Sequence, residues 1–256
     1  MTEPVLAARG LAVTIARHRI CSGLDFNVAR GESWAILGRN GAGKTTLLNT
    51  LAGLRAADAG TVELLGRPLA GLPRRELARL RGVLPQDDSD PFPATVMETV
   101  LIGRHPHLSR WTWEGASDIA LARAALATAD MAGTDARAVA TLSGGERRRV
   151  ALATLLAQDP QLFLLDEPAS HLDLAHQLAM LDRLVQLVRS EGRALVMVVH
   201  DVNLALRYCD HALLLANGDA VAGTAESLLT PERLSRLYGV ALQALSTPRG
   251  RVFAPD

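Results

Sequence analysis

The sequence predicts an α/β fold with a largely parallel sheet, and three observations lead there. In the second half of the chain, short apolar runs recur between helix-like stretches: "PQLFLLDEP", "RALVMVVHD" and "HALLLANGD". Continuous apolar strands alternating with helices are the pattern of a parallel sheet covered on both faces. The stretch "GRNGAGKTT", residues 38–46, follows the buried-strand pattern "SWAILG" and opens the helical pattern "KTTLLNTLAGL". Finally, "LFLLDEP" ends an apolar run on two carboxylates, at the strand end where open α/β sheets take ligands.

The elements follow in order. "LAVTIA" and "LDFNVA" read as β-rich segments leading to the glycine-rich loop, and "GTVELLG" as a strand after its helix. Acidic residues and prolines in "LPQDDSDPFPATV" mark a hinge-like loop. A mainly helical stretch runs from "VMETVLIGR" through "SDIALARAALATADM", after which the α/β pattern returns. "TPERLSRLYGV" predicts a final short helix.

At 256 residues the chain is one large domain or a core with a subdomain, and 48% hydrophobic residues suffice for a substantial core. Lys plus Arg equals Asp plus Glu at 27 each, so no global field favours nucleic acid or anionic lipid. The basic runs "PRRELARLR" and "GERRRV" read as solvated helix faces. Cys21 and Cys209 lie far apart, in no metal-ligand spacing, which suits a reducing compartment. The N-terminus lacks a signal-peptide pattern, and no apolar run reaches the roughly 18 residues of a membrane span. A soluble cytoplasmic protein is expected, with any membrane role supplied by a partner.

Gly38, four residues, then Gly43-Lys44-Thr45 matches the phosphate-binding P-loop in every specified position. Glycines let successive N–H groups of residues 38–46, including Asn40, Gly41, Ala42 and Thr46, converge on one anion at a helix N-terminus. Lys44 suits the β- and γ-phosphates, and the Thr45 hydroxyl suits Mg²⁺. An ordinary strand-to-helix turn is the competing reading of such a loop. Asp166 fits an aspartate that holds Mg²⁺, and Glu167 a base that takes a proton from attacking water. Alone, the Asp-Glu pair could instead cap the next helix. In "LSGGERRR", Ser143 and Glu146 have capping-box spacing. Gly144 and Gly145 between them clear the helix end, leaving a second place for an anion.

"GRNGAGKTT", "LPQ", "LSGGE", "LFLLDEP", "SHLD" and "VVH" occur in this order. This series resembles the nucleotide-binding subunits of ATP-binding-cassette (ABC) transporters, over almost the whole chain. The resemblance implies a RecA-like P-loop NTPase core with a small antiparallel β-region, residues 1–87 and 157–256. Residues 88–156 would form an inserted helical subdomain. It further implies a head-to-tail homodimer with two ATP molecules at its interface. There Ser143, Gly144, Gly145 and Glu146 of one subunit meet the γ-phosphate held by Lys44 of the other. Gln86 resembles the Q-loop glutamine, which senses Mg²⁺ and the attacking water. His200 resembles the switch histidine on the γ-phosphate, and Asp173 the D-loop aspartate that communicates across the dimer. Read without the resemblance, Gln86 is a polar loop residue, His200 a strand-end histidine and Asp173 a helix N-cap.

The sequence departs from the family in places. "LAVTIARHRIC" holds no Phe, Trp or Tyr where an aromatic residue usually stacks on adenine, and only His18 offers a flat ring. Weak base stacking and poor discrimination between ATP and GTP are expected. Glu146 stands where Gln is frequent, "DEPA" replaces "DEPT", and Thr154 replaces an arginine. None of these touches Lys44, Asp166, Glu167 or His200, so an active ATPase is expected.

"DPFPATVMETVLIGRHPHLSRW", "LDLAHQ", "HDVNLALRYCD" and "TPERLSRLYGV" resemble the metal-chelate importer subgroup, which takes up iron-siderophores, haem and vitamin B12. That resemblance implies a separate permease dimer, an indirect link to a substrate-binding protein, and a place on the cytoplasmic face of the inner (cell) membrane. Residues 86–110 would border the groove for the permease's coupling helix. Trp111 and Trp113 either support that surface or pack within the subdomain. His105 and His107 lack a third spaced ligand for a metal site. A soluble ABC ATPase acting on nucleic acid or ribosomes usually carries two cassettes or a long coiled-coil insertion, and this chain has neither. An idle ATP-binding regulator would lack Glu167 or His200, and both are present.

Overall fold

The computed structural model describes residues 3–86, 93–109, 111–170, 172–248 and 250–256. Much of the acidic, proline-rich loop expected to act as a hinge, the subdomain boundary at 87/88 and His171 of "SHLD" lie outside the described residues.

Strands β1 (Leu6–Ile15) and β2 (His18–Val28) form an antiparallel hairpin. Both turn residues, Ala16 and Arg17, have positive φ (45° and 72°), the hand that matches strand twist in a two-residue hairpin. Strand β3 (Ser33–Gly38) is buried along its whole length and leads through the glycine loop into helix α1 (Lys44–Leu51). Strands β4 (Ala59–Leu64) and β5 (Arg67–Pro68) follow, and then helix α2 (Arg74–Leu80) runs straight into β6 (Arg81–Leu84).

The inserted helices are α3 (Val96–Leu101), α4 (Ala116–Thr128) and α5 (Gly144–Gln158). Thr95 and Ser143 start α3 and α5 with complete capping boxes to Glu98 and Glu146. The α/β pattern resumes with β7 (Leu162–Asp166), α6 (Leu174–Ser190), β8 (Ala194–Val198), α7 (Val202–Tyr208) and β9 (His211–Ala216). It continues with β10 (Asp219–Thr224), α8 (Ala225–Leu228) and α9 (Pro231–Tyr238). Thr230 caps α9, Pro231 occupies its first turn and Gly239 ends it in the left-handed region, the usual order of start and stop signals.

Among the described residues, one sheet has the order β10-β9-β3-β8-β7-β6, with β9, β3, β8, β7 and β6 parallel and β10 antiparallel. A second, antiparallel sheet has the order β2-β1-β4-β5. Side-chain alternation along the central strands divides the core. Ile36, Leu162, Leu164 and Val196 face α1 and the antiparallel sheet. Leu37, Phe163, Leu165 and Met197 face α5, α6, α7 and α9. The inserted helices have a cluster of their own, including Val96, Val100, Leu126 and Val150.

The expected final helix is present as α9, but the chain then adds a hairpin, β11 (Leu242–Thr247) with β12 (Gly250–Pro255). Among the described residues of this hairpin only Phe253 is buried, so it shows little of the alternation that identifies a half-buried strand. Asn203 of α7 holds it from both sides: its Nδ2 donates to the Phe253 carbonyl (3.1 Å) and its Oδ1 accepts from the Phe253 N–H (2.7 Å).

Leu126 is wholly buried in the cluster of the inserted helices. Leu126→Ala should cost about 2–5 kcal/mol through lost transfer energy and a residual cavity, read by denaturant unfolding. The same measurement on exposed Leu121→Ala, one residue group away on α4, should stay within about 0.5 kcal/mol.

Candidate functional site

The parallel register brings several motifs to one edge. Ile36 of β3 and Asp166 of β7 both pair with Val198 of β8, and Leu165 of β7 pairs with Leu84 of β6. The carboxyl ends of four adjacent strands therefore deliver, in a row, the glycine loop, His200, Asp166 with Glu167, and Gln86. Ligands bind in this position in open α/β sheets.

Gly41 (φ 79°) and Gly43 (φ 90°) take left-handed backbone that turns the loop around Lys44. A Cβ at Gly43 would also lie 2.5 Å from Ile20 Cδ1, so β2 packs against the loop with no room for a side chain. Lys44 is 6% exposed, and its Nζ donates to the carbonyls of Gly38 (3.0 Å) and Arg39 (3.2 Å). Burial lowers the Lys44 pKa, opposed by the negative charges of Glu167 and Asp166.

Asp166 is buried at 2% exposure, and burial raises its pKa, with the Thr45 hydroxyl opposing the shift as a hydrogen-bond donor. Its Oδ1 has no hydrogen-bond partner among the described residues. A buried carboxylate oxygen left unpaired beside a hydroxyl and a lysine suits a hard, oxygen-seeking divalent cation such as Mg²⁺.

Glu167 holds a left-handed backbone (φ 47°), and its N–H donates to the Val198 carbonyl (3.1 Å). Its Oε1 lies 2.5 Å from His200 Nε2, so the loops after β7 and β8 fix one another's side chains. A carboxylate held in this way can accept a proton from a nearby water, and the histidine can contact an anion on its open side.

Ser143 Oγ accepts from the Glu146 N–H (3.2 Å), while Glu146 Oε2 accepts from the Ser143 N–H (2.8 Å). Arg137 adds an ion pair (2.7 Å). These partners hold the Glu146 carboxyl down at about 2, the Arg137 hydrogen bond contributing most. A Cβ at Gly144 would meet nothing within 4 Å, so the helix end is open. Asp173 caps α6, accepting from the His176 N–H (2.9 Å). Ser143, Glu146 and Asp173 make these bonds at their own helix starts, whereas Lys44, Thr45, Asp166, Glu167, His200 and Gln86 share the sheet edge.

Reading "GERRRV" as a solvated face needs correction. Arg148 is 4% exposed, because it lies at i, i+4 and i+7 with the buried Leu152 and Leu155 of α5. Its guanidinium donates to the carbonyls of Pro85, Gln86, Asp166, Glu167 and Pro168. The helical spacing contained that signal, and the charge of the run obscured it. Trp111 and Trp113 are 88% and 89% exposed and so do not pack within the inserted helices. His107 Nε2 bonds the Gln158 carbonyl (2.8 Å), and His105 faces Glu114 (3.3 Å).

The ABC transporter family profile matches residues 21–170. The hemin import ATP-binding protein HmuV of Nocardia farcinica is 43% identical over 252 residues, covering 96% of this chain and 86% of that protein. The ferric enterobactin transport ATP-binding protein FepC of Escherichia coli K12 is 37% identical over 252 residues, covering 97% and 93%. A solved inward-facing ABC transporter, described as of metal-chelate type, superposes with a TM-score of 0.87 at 29% identity, covering 99% of this chain and 98% of that one. Among the described residues no helix is long and apolar enough to cross a membrane. The motif order, the strand-end geometry and these relatives agree: the chain belongs to the ABC transporter family, as an ATP-binding subunit.

Proposed function

We propose that this chain hydrolyses ATP to drive uptake of a metal chelate through a separate membrane permease. The observation that carries the chemistry is the contact between Glu167 and His200, 2.5 Å long, at the strand ends beside the Lys44 loop. The importer reading is supported by relatives named for hemin, cobalamin and ferric enterobactin transport, and the cargo class proposed from them is an iron-siderophore, haem or cobalamin-type chelate.

In this reading the N–H groups of residues 38–46 and Lys44 bind the β- and γ-phosphates. Thr45, Asp166 and Gln86 would hold Mg²⁺, which when bound would neutralise phosphate charge. Glu167, oriented by His200, takes a proton from the water that attacks the γ-phosphorus, and the bond to the β-phosphate oxygen breaks to give ADP and phosphate. Ser143, Gly144, Gly145 and Glu146 present their helix end to ATP held by a second copy, completing charge stabilisation in a homodimer with Asp173 at the contact. Closure of that dimer is the stroke delivered to the permease.

We assign the permease seat to the groove between the β6 edge and the inserted helices. Leu84, Pro85, Thr99, Val139, Arg147 and Thr154 line about 240 Å³ there, next to Gln86. The exposed Trp111 and Trp113 extend the apolar surface of the same insertion. Residues 88–156 act as the moving subdomain, on the cytoplasmic face of the cell membrane, and a substrate-binding protein meets the permease on the other side.

The base site rests on β2. Ile20 abuts Gly43, and alternation puts His18 on the same face, paired across the hairpin with Ile15. A base would meet an imidazole and an aliphatic side chain in place of a large aromatic ring.

Four outcomes test this reading. Tagged Glu167→Gln should lose turnover by about 100-fold or more while still binding ATP, read by phosphate release and nucleotide binding. Purified with ATP from detergent-solubilised membranes, it should bring down a polytopic permease in about equal amount. Recovery with only soluble proteins or DNA would overturn the importer. The kcat/KM values for ATP and GTP should lie within about tenfold of one another, since one weak stacking contact separates them by little more than 1 kcal/mol. Because burial raises the Asp166 pKa, the folded chain binds more protons than the unfolded one just above the ordinary carboxyl range. Its contribution to stability therefore falls as pH rises through that window. Asp166→Asn should melt no lower than wild type at pH 7 without divalent cations, yet lose the Mg²⁺ dependence of ATP affinity.

A further inference from the structure

Arg148 is the most heavily engaged buried side chain that the mechanism above does not use. It lies on α5, the signature helix that opens on "LSGGE", one turn beyond the Ser143 cap, and is buried. One branch of its guanidinium reaches the chain after β6, with Nη1 donating to the carbonyls of Pro85 (2.5 Å) and Gln86 (3.4 Å). The other branch reaches the chain after β7, with Nη2 donating to the carbonyls of Asp166 (2.7 Å) and Glu167 (3.0 Å). Nε adds the carbonyl of Pro168 (3.2 Å). The carbonyls on both sides of the Glu167 Cα are thus held by one rigid, planar group, at a residue whose own backbone is left-handed.

This arrangement does more than fill space. The peptide planes flanking Glu167 determine where its side chain leaves the backbone, and Arg148 fixes both of them relative to α5. The same group fixes the peptides from which Gln86 leaves. A small shift or rotation of the signature helix therefore cannot occur without moving Pro85–Gln86 and Asp166–Pro168 together. Only an arginine has the donors to bridge both segments at once, since a lysine ammonium is a single point and a glutamine carries one amide. Burial raises the Asp166 pKa, and the positive charge of Arg148 acts against that shift.

We propose that Arg148 is a positioning residue that ties the location of the signature helix to the orientation of Glu167 and Gln86, so that turnover proceeds only when α5 is correctly placed. The inference rests on Glu167 as the proton acceptor. Arg148 touches neither nucleotide nor water in this account; its effect passes through the backbone it holds.

The test uses the full-length chain and the substitutions Arg148→Lys, Arg148→Gln and Glu167→Gln. Equilibrium binding of Mg²⁺-ATP, kcat and KM for phosphate release, and thermal melting are measured on each. Arg148→Gln should lower kcat by about 30-fold or more and Arg148→Lys by about tenfold, because a misplacement near 1 Å can cost about 100-fold. The Kd for Mg²⁺-ATP should stay within about twofold in both, and Lys should always rescue relative to Gln. If Arg148→Gln does not fold, the split between kcat and Kd in Arg148→Lys decides alone. Turnover within about twofold of wild type, or parallel losses of kcat, affinity and melting temperature, would overturn the positioning role. An idle Glu167→Gln beside an unimpaired Arg148→Gln overturns this inference alone. A Glu167→Gln that turns over at the wild-type rate removes the proton-acceptor reading, and the inference falls with it.

Discussion

Every distance across the candidate site depends on the parallel register of four strands. Val198 sits between Ile36 and Asp166, and Leu84 stands beside Leu165, so the loops leaving β3, β8, β7 and β6 emerge side by side at one level. Parallel strands buried on both faces hold this alignment firmly, because a slip of one residue would turn Leu162 and Leu164 toward the cluster that now receives Phe163 and Leu165. The chemistry then needs only the correct residue at each strand end. β8 has a particular part: it lies between the strands that lead to the glycine loop and to the Asp-Glu pair, and the chain after it brings His200 to Glu167.

The same edge collects buried charge, which is expensive unless each ion is solvated by something else. The cations here are solvated by backbone. Lys44 leans on the carbonyls of Gly38 and Arg39, and Arg148 on those of the chain after β6 and β7. Asp166 is the contrasting case, with one oxygen left over. Lys44, fixed by neutral carbonyls, keeps most of its charge available to an anion, while the unpaired oxygen invites a cation. An edge with both features suits the metal-phosphate pair proposed above.

Most of this edge was legible in the sequence, because the motifs are contiguous and each states its own local geometry. "GRNGAGKTT" specifies a loop through its glycines, and the apolar run before Asp166 specifies a buried strand. "LSGGE" specifies a helix start through the Ser143–Glu146 spacing, and the capping box is present. What could not be read is what depends on distant pairing. That β8 lies between β3 and β7 is a matter of strand order, which no local pattern encodes. Arg148 reads as one more charge in a basic run until its helical face is counted. The β11–β12 hairpin buries too little to show alternation and is secured by Asn203, fifty residues from Phe253. Trp111 and Trp113 could by sequence either pack within the inserted helices or support a surface, and they are largely exposed, which composition alone does not decide.

The left-handed backbone at Glu167 has an evolutionary consequence. A residue with a Cβ in that region carries strain of about 1 kcal/mol or more, which glycine would relieve. Each copy of this chain therefore keeps an acidic side chain where the fold alone would be as well served by none. Under the proton-acceptor role proposed above, drift away from activity would run downhill in stability, and only selection for turnover would oppose it. In a lineage that no longer needs transport, this position should decay early, while the strands beneath it persist.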